Sequence, residues 1–338
     1  MPGLLPLETE LQRRAGRDDD ADDFWKRYQA VRSYLSSDYY PWIQANVPYF
    51  TDHGEKHVKS VLQATGSLLQ TRLRASPAKS ILSSLDIFLI LSGVIWHDVG
   101  LVYGRSNHQN VSKITEKVKL IAFGNPDIHR FVDEISLAHS GTDGLSVPQK
   151  REQFSTANAT YTVFPKALAA IVRFADEISE NRSRVSQSLL QGGIPAKNEI
   201  YWEYADSISG SVAEPEKERV RLNVSVRSDK AKKEFECNDF PNRCNNRKIT
   251  LIKYLVCRLE KMNNERAYCG LEFERFVRIK QIVAYFKLLQ GTKRLEEYDT
   301  RIVMGDSGLR GTEYPDIKIF DDFFNRHREW NPTGTGSI

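Results

Sequence analysis

"ILSSLDIFLILSGVIWHDVG", residues 81–100, decides how the rest of this chain is read. From Ile87 to Trp96 only Ser92 and Gly93 interrupt a run of large apolar side chains, and His97 and Asp98 follow with no polar spacer. The pattern predicts a helix over 80–99 that is apolar on every side, with Gly100 at its C-terminal cap. Such a helix belongs at the buried centre of a bundle. An isolated charge in that position costs several kcal/mol unless it is paired or bound to a metal. The doublet therefore needs partners from other parts of the chain.

Flanking segments supply the bundle. Phe24, Tyr28, Val31 and Leu35 recur at helical spacing, and Pro41 and Pro48 predict a kinked connection. Val58, Val61, Leu62 and Leu68 line one face of a helix of about 18 residues within "DHGEKHVKSVLQATGSLLQTRL". Further helices are predicted in 104–124, in "PDIHRFVDEISLAHSG" (stopped at Gly141) and in "FPKALAAIVRFADEISENRSR". Residues 1–21 are polar and expected to be frayed, and 22–190 form the bundle. In 191–290 "YWEYADSISGSVAE" and "RVRLNVSVRS", with the alternation of Val220, Leu222, Val224 and Val226, predict a hairpin or small sheet, and helices are expected in 248–264 and 271–290. Residues 291–338 are expected to be loose. The expected fold class is mainly α, a helical bundle followed by a smaller α+β C-terminal region.

Composition narrows the function classes. Lys and Arg number 48 against 44 Asp and Glu, an excess of four, too small to argue for nucleic acid by itself. The N-terminus lacks the basic and apolar blocks of a signal peptide, and no apolar run approaches the ~20 residues of a membrane span. Cys237, Cys244, Cys257 and Cys269 contain no CxxC pair, which fits reduced thiols in a cytoplasmic protein better than a zinc ribbon.

The candidate chemistry lies in ionisable residues set into apolar helices. His57 opens "HVKSVL" one turn after His53, but Glu55 in "HGEKH" is misplaced for the HExxH zinc-protease motif. Asp176 is flanked by Ile171, Val172, Phe174, Ala175 and Ile178, while His108 and His139 stand at helix ends. Singly, each is as readily a hydrogen-bonded core or surface residue. Together, His57, His97, Asp98, His108, His139 and Asp176 come from successive helices. That imidazole and carboxylate mixture suits one or two divalent transition-metal ions (Mn, Fe, Ni or Zn) rather than Ca, and a bundle core is a normal place for such a site.

At these residues the sequence resembles the HD superfamily of metal-dependent phosphohydrolases. "TDHGEKHVKSVL", "LILSGVIWHDVGL" and "IVRFADEIS" are similar to its first, doublet and final segments, in order, over roughly residues 40–185. Within it, "YFTDHGEKH" and "RFADEISENRSRV" look closest to bacterial HD effectors of biological conflict systems. The resemblance implies an HD-type bundle with His57, His97, Asp98 and Asp176 as primary ligands, and His97 and Asp98 as the catalytic pair. Asp98 is the implied bridge, and His108 and His139 complete a second site. His139-Ser140 departs from the usual double His there.

The implied reaction is hydrolysis of a phosphoester in a nucleotide or related small phosphate, with Lys56, Arg105, Arg182 and Arg184 as substrate contacts. Two alternatives stay open. One is a nuclease on single-stranded DNA or RNA, for which "AKKEF" and "NRCNNRK" permit a basic groove. The other is a ligand-sensing or oligomerisation module. No membrane partner is expected, and a homo-oligomer stays open. The aromatics of "YWEY" (Tyr201, Trp202, Tyr204) fit core packing better than base stacking.

Overall fold

The computed structural model describes residues 4–74, 81–105, 124–141, 143–231, 233–238 and 248–305. His108 and Cys244 lie outside the described residues, as does most of the helix expected over 104–124. The first part of the chain is helical: α1 (Pro6–Ala15), α2 (Asp19–Asp38), α3 (Tyr40–Asn46), α4 (Glu55–Leu68), α5 (Gln70–Leu73), α6 (Ser84–Trp96) and α7 (Pro126–Leu137). A hairpin of β1 (Glu152–Ser155) and β2 (Thr160–Val163) precedes α8 (Pro165–Glu177), α9 (Gln187–Gly192) and α10 (Ala196–Ser207).

Every residue of α6 is buried. Ser83 and Asp86 cap its start reciprocally, with the Asp86 amide donating to Ser83 Oγ at 3.0 Å and the Ser83 amide to Asp86 Oδ2 at 2.9 Å. The helix packs against α1, α2, α4, α7 and α8, as its all-round apolar surface requires. With the turn that follows, Ser84–Tyr103 is long and apolar enough to cross a membrane, but 94% of that window is buried inside the fold, where it serves as core. Gly93 lets α7 come close: a Cβ there would sit 2.5 Å from Ile135 Cγ2.

The helix stops earlier than the sequence suggests. It ends at Trp96, and a tighter 3-10 turn, Val99–Tyr103, takes in Gly100. Gly104, at φ +89°, is the residue in the left-handed region.

A second layer follows. β3 (Ile208–Glu214), β4 (Arg219–Arg227), β7 (Gln281–Gln290) and β8 (Lys293–Gly305) form a sheet in that order, with β4 and β7 parallel and the outer pairs antiparallel. The parallel pair requires a long crossover. It runs through α11 (Ser228–Ala231), the short pair β5 (Glu234–Glu236) and β6 (Lys248–Thr250), and the long helix α12 (Leu251–Phe273). The α12 helix packs on α8 and carries the C-terminal region against the bundle.

The mainly α class with a smaller α+β C-terminal part holds, with four local corrections. Residues 6–15 form a helix whose Leu7 and Leu11 are buried against the bundle. "YWEYADS" is the end of α10, not the hairpin's first strand. Ile200, Trp202, Tyr204 and Ala205 are all buried there, which erases a one-sided period. "QIVAYFKLLQ" is a strand rather than the expected helix, since a short apolar run fits either period and its place beside β4 decides. Residues 293–305, expected to be loose, pair with β7.

Candidate metal centre

The break after Trp96 makes the doublet useful. On a continuing helix, adjacent side chains diverge by ~100°. Here His97 keeps helical angles while Asp98 turns to φ −107°, ψ 5°, so His97 Nε2 and Asp98 Oδ2 lie 3.3 Å apart. His57 stands in the first turn of α4, where Asp52 Oδ1 accepts from the amides of Gly54 (3.0 Å) and His57 (3.4 Å). Asp176 comes from the last turn of α8, and His139 follows α7 by two residues.

These side chains converge. His57 Nε2 lies 3.0 Å from His97 Nε2, 3.1 Å from Asp176 Oδ1 and 3.4 Å from Asp98 Oδ2. The other oxygen of Asp98 faces elsewhere, with Oδ1 3.6 Å from His139 Nε2. Donors held about 2.1 Å from one divalent ion stand roughly 3.0–3.4 Å from each other, by tetrahedral or octahedral geometry. The shorter separations match that range. His57, His97 and Asp176 form a group able to hold a metal ion.

Hydrogen bonding fixes how the rings present themselves. His97 Nδ1–H donates to the Val94 carbonyl at 2.7 Å, and His139 Nδ1–H donates to the Ser136 carbonyl. A carbonyl only accepts, so each ring carries a proton on Nδ1 and turns Nε2 inward, the nitrogen that would ligate a metal once it is deprotonated.

The electrostatics are those of a tightly coupled cluster. Burial pulls His97 down, but Asp98 and Asp176 outweigh it and raise it to about 9. Burial works against the charged forms of Asp98 and Asp176, yet the neighbouring imidazoles hold both well below the usual carboxylate range. His139 is lowered by burial and by His97, and His53 is lowered to about 3 by burial and Arg184. The centre thus holds two ionised carboxylates beside imidazoles that need a shared cation. That donor set fits a divalent transition metal.

The cluster forms the floor of a cleft of about 900 Å³. Asp98, His139 and Asp176 line it, and Asp176 keeps 27% of its side chain exposed there. Of the expected substrate contacts, Arg105 and Arg184 line the cleft. Arg184 is held by the Asp52 carbonyl (2.8 Å) and Glu180 (3.1 Å). Lys56 is exposed on α4 and does not line the cleft. Arg182 is also away from it, donating to the Asp206 carbonyl at 3.0 Å.

Sequence reasoning missed the opposite wall. Lys197 and Tyr201 from α10, with Arg258, Lys261, Glu265 and Tyr268 from α12, line the same cleft as the metal ligands. It also passed over Arg173, one turn before Asp176. The argument that marked Asp176, an ionisable residue in an apolar helix, marks Arg173 equally well.

The bundle, the convergent imidazoles and carboxylates and the open cleft fit an HD-type domain and, in general terms, a metal-dependent hydrolase. Residues 47–247, more than half of the chain, match the model of the HD-CE family. The chain belongs to that family, HD-CE. Comparison with the curated proteins and with the solved structures gave no match.

Proposed function

We propose that this chain hydrolyses a phosphoester bond of a nucleotide or related small phosphate. The observation that carries the reading is the split use of Asp98: Oδ2 faces His57 and His97 at 3.4 and 3.3 Å, and Oδ1 faces His139 at 3.6 Å. A carboxylate so placed suits a bridge between two ions. His57, His97, Asp98 and Asp176 would hold the first ion, and Asp98 and His139, with His108, the second. Divalent ions there supply a water of near-neutral pKa and offset charge on the phosphoryl oxygens.

The protein's own part is positioning and charge. The Nδ1–H bonds to Val94 and Ser136 keep the two Nε2 lone pairs aimed at the centre. Arg105, Lys197 and Arg184, all on the cleft wall, are the cations placed to meet a phosphate. Among the described residues Cys237, Cys257 and Cys269 are buried and not joined in disulfides, in keeping with a reducing compartment. A cleft of about 900 Å³, with cations on more than one wall, also leaves room for a single-stranded polymer as the second reading.

One assay separates them. Mn-loaded protein is offered a panel of nucleotides and labelled single-stranded DNA and RNA. Phosphate release from the nucleotides supports the proposal, and polymer cleavage without it supports the nuclease. The double variant His97→Ala with Asp98→Ala should lose metal and activity together, and retention of both overturns the site.

A further inference from the structure

Arg173 is 7% exposed in the middle of α8, and its guanidinium is spent in two directions. Nε and Nη2 form a fork with Glu265 of α12, both bonds 2.7 Å long. Nη1 donates to the carbonyls of Gly141 at 2.7 Å and Ala138 at 3.2 Å. Those two carbonyls bracket His139 and Ser140. Tyr268, also on α12, lies under the guanidinium with its ring centre 5.0 Å away. Gly144 completes the fit. A Cβ there would come within 2.7 Å of the Ala138 oxygen and 3.1 Å of Arg173 Nη1, so the loop closes on the arginine only because residue 144 has no side chain.

We infer that Glu265 and Arg173 are positioning residues that set His139, making α12 a working part of the metal centre although it lies beyond the family-matched residues. The chain of contacts is continuous. Glu265 fixes the plane of the guanidinium, which fixes the carbonyls on either side of His139, and the ring then meets Asp98 Oδ1. Lysine cannot replace it, since one ammonium cannot meet a carboxylate fork and two carbonyls from a rigid plane. The neighbouring pairs of Glu177 with Arg258 (3.1 Å) and Lys261 (2.6 Å) brace the same turn of α8 beside Asp176. Their bonds join α8 to α12 at Glu177 rather than at the carbonyls that Arg173 holds, and they serve as controls.

This inference rests on the two-ion reading, so its test carries one readout that needs no metal. In the metal-free protein, the His139 ring is followed by long-range proton–nitrogen NMR in wild type, Arg173→Lys, Glu265→Gln and Gly144→Ala. His139 signals should shift or broaden in all three while those of His97 hold. In Mn titrations the same variants should weaken the second equivalent about tenfold or more, the range for groups that orient a ligand, and leave the first within about threefold. His139→Ala should give the same loss, and combining it with Arg173→Lys should add nothing. Arg258→Lys should spare the second equivalent. Unmoved His139 signals, or equal weakening of both equivalents, overturn the inference. Wild-type protein that binds no second ion overturns the two-ion reading instead, and the ring signals still decide the role of Arg173.

Discussion

Replacing Gly93 by alanine tests whether the closeness of α6 and α7 is built into the site. The added Cβ would lie 2.5 Å from Ile135 Cγ2 and 3.4 Å from Ile135 Cβ, and Ile135 is itself fully buried. Ordinary carbon contacts are near 3.5–4.0 Å, so something must move by about 1 Å. Overpacking of this kind costs about 1–3 kcal/mol. Alanine returns about 1 kcal/mol through its better helix propensity. The net expectation is a loss of about 0–2 kcal/mol, read by urea denaturation. Ile135→Ala alone should cost about 2–5 kcal/mol by leaving a cavity. The double variant should lose at least about 1 kcal/mol less than the sum, because the new methyl fills part of that cavity. The shift has a consequence at the centre, since α6 leads directly into His97 and Asp98 and α7 leads to His139. Additive costs, or a Gly93→Ala protein more stable than wild type, refute the reasoning.

A second expectation concerns pH in the metal-free protein. His97 is raised to about 9, so its contribution is fully present below its ordinary value of 6.5 and lost as pH climbs through 9. Asp98 and Asp176 are lowered, so theirs is present above 3.8 and lost only on strong acidification. The melting temperature in chelator should therefore fall between pH 6.5 and 9, and a flat profile by scanning fluorimetry there contradicts the assigned cluster. A third concerns the β1–β2 hairpin, which α2 holds through Asp20. That carboxylate accepts from Thr156 (2.6 Å), Asn158 (2.9 Å) and Tyr161 (2.8 Å). Asp20→Ala should cost about 2–3 kcal/mol and release hairpin amides in hydrogen exchange, and unchanged protection argues against the latch.

The residues that carry the strongest chemistry could be seen in the chain because burial and ionisation conflict. An imidazole and a carboxylate at the end of an all-apolar helix, and Asp176 within another apolar helix, are costly unless they meet, and the structure brings His57, His97, Asp98 and Asp176 together. Arg105 and Arg184 were also within reach of sequence reasoning, as cations following ligand segments. Arg182 also follows a ligand segment and Lys56 adjoins His57, yet neither lines the cleft.

What the sequence determined by itself is the central helix and the order of the ligand-bearing segments, because hydrophobic period and misplaced charge are local properties. Tertiary structure decided the rest. The turn at Asp98 that directs its two oxygens apart depends on where α6 stops. The strand character of Gln281–Gln290 depends on β4 lying beside it. The role of α12 depends on Glu265 meeting Arg173 across 92 positions of chain. Such pairings leave no period, since neither partner's neighbours in sequence record what packs against it.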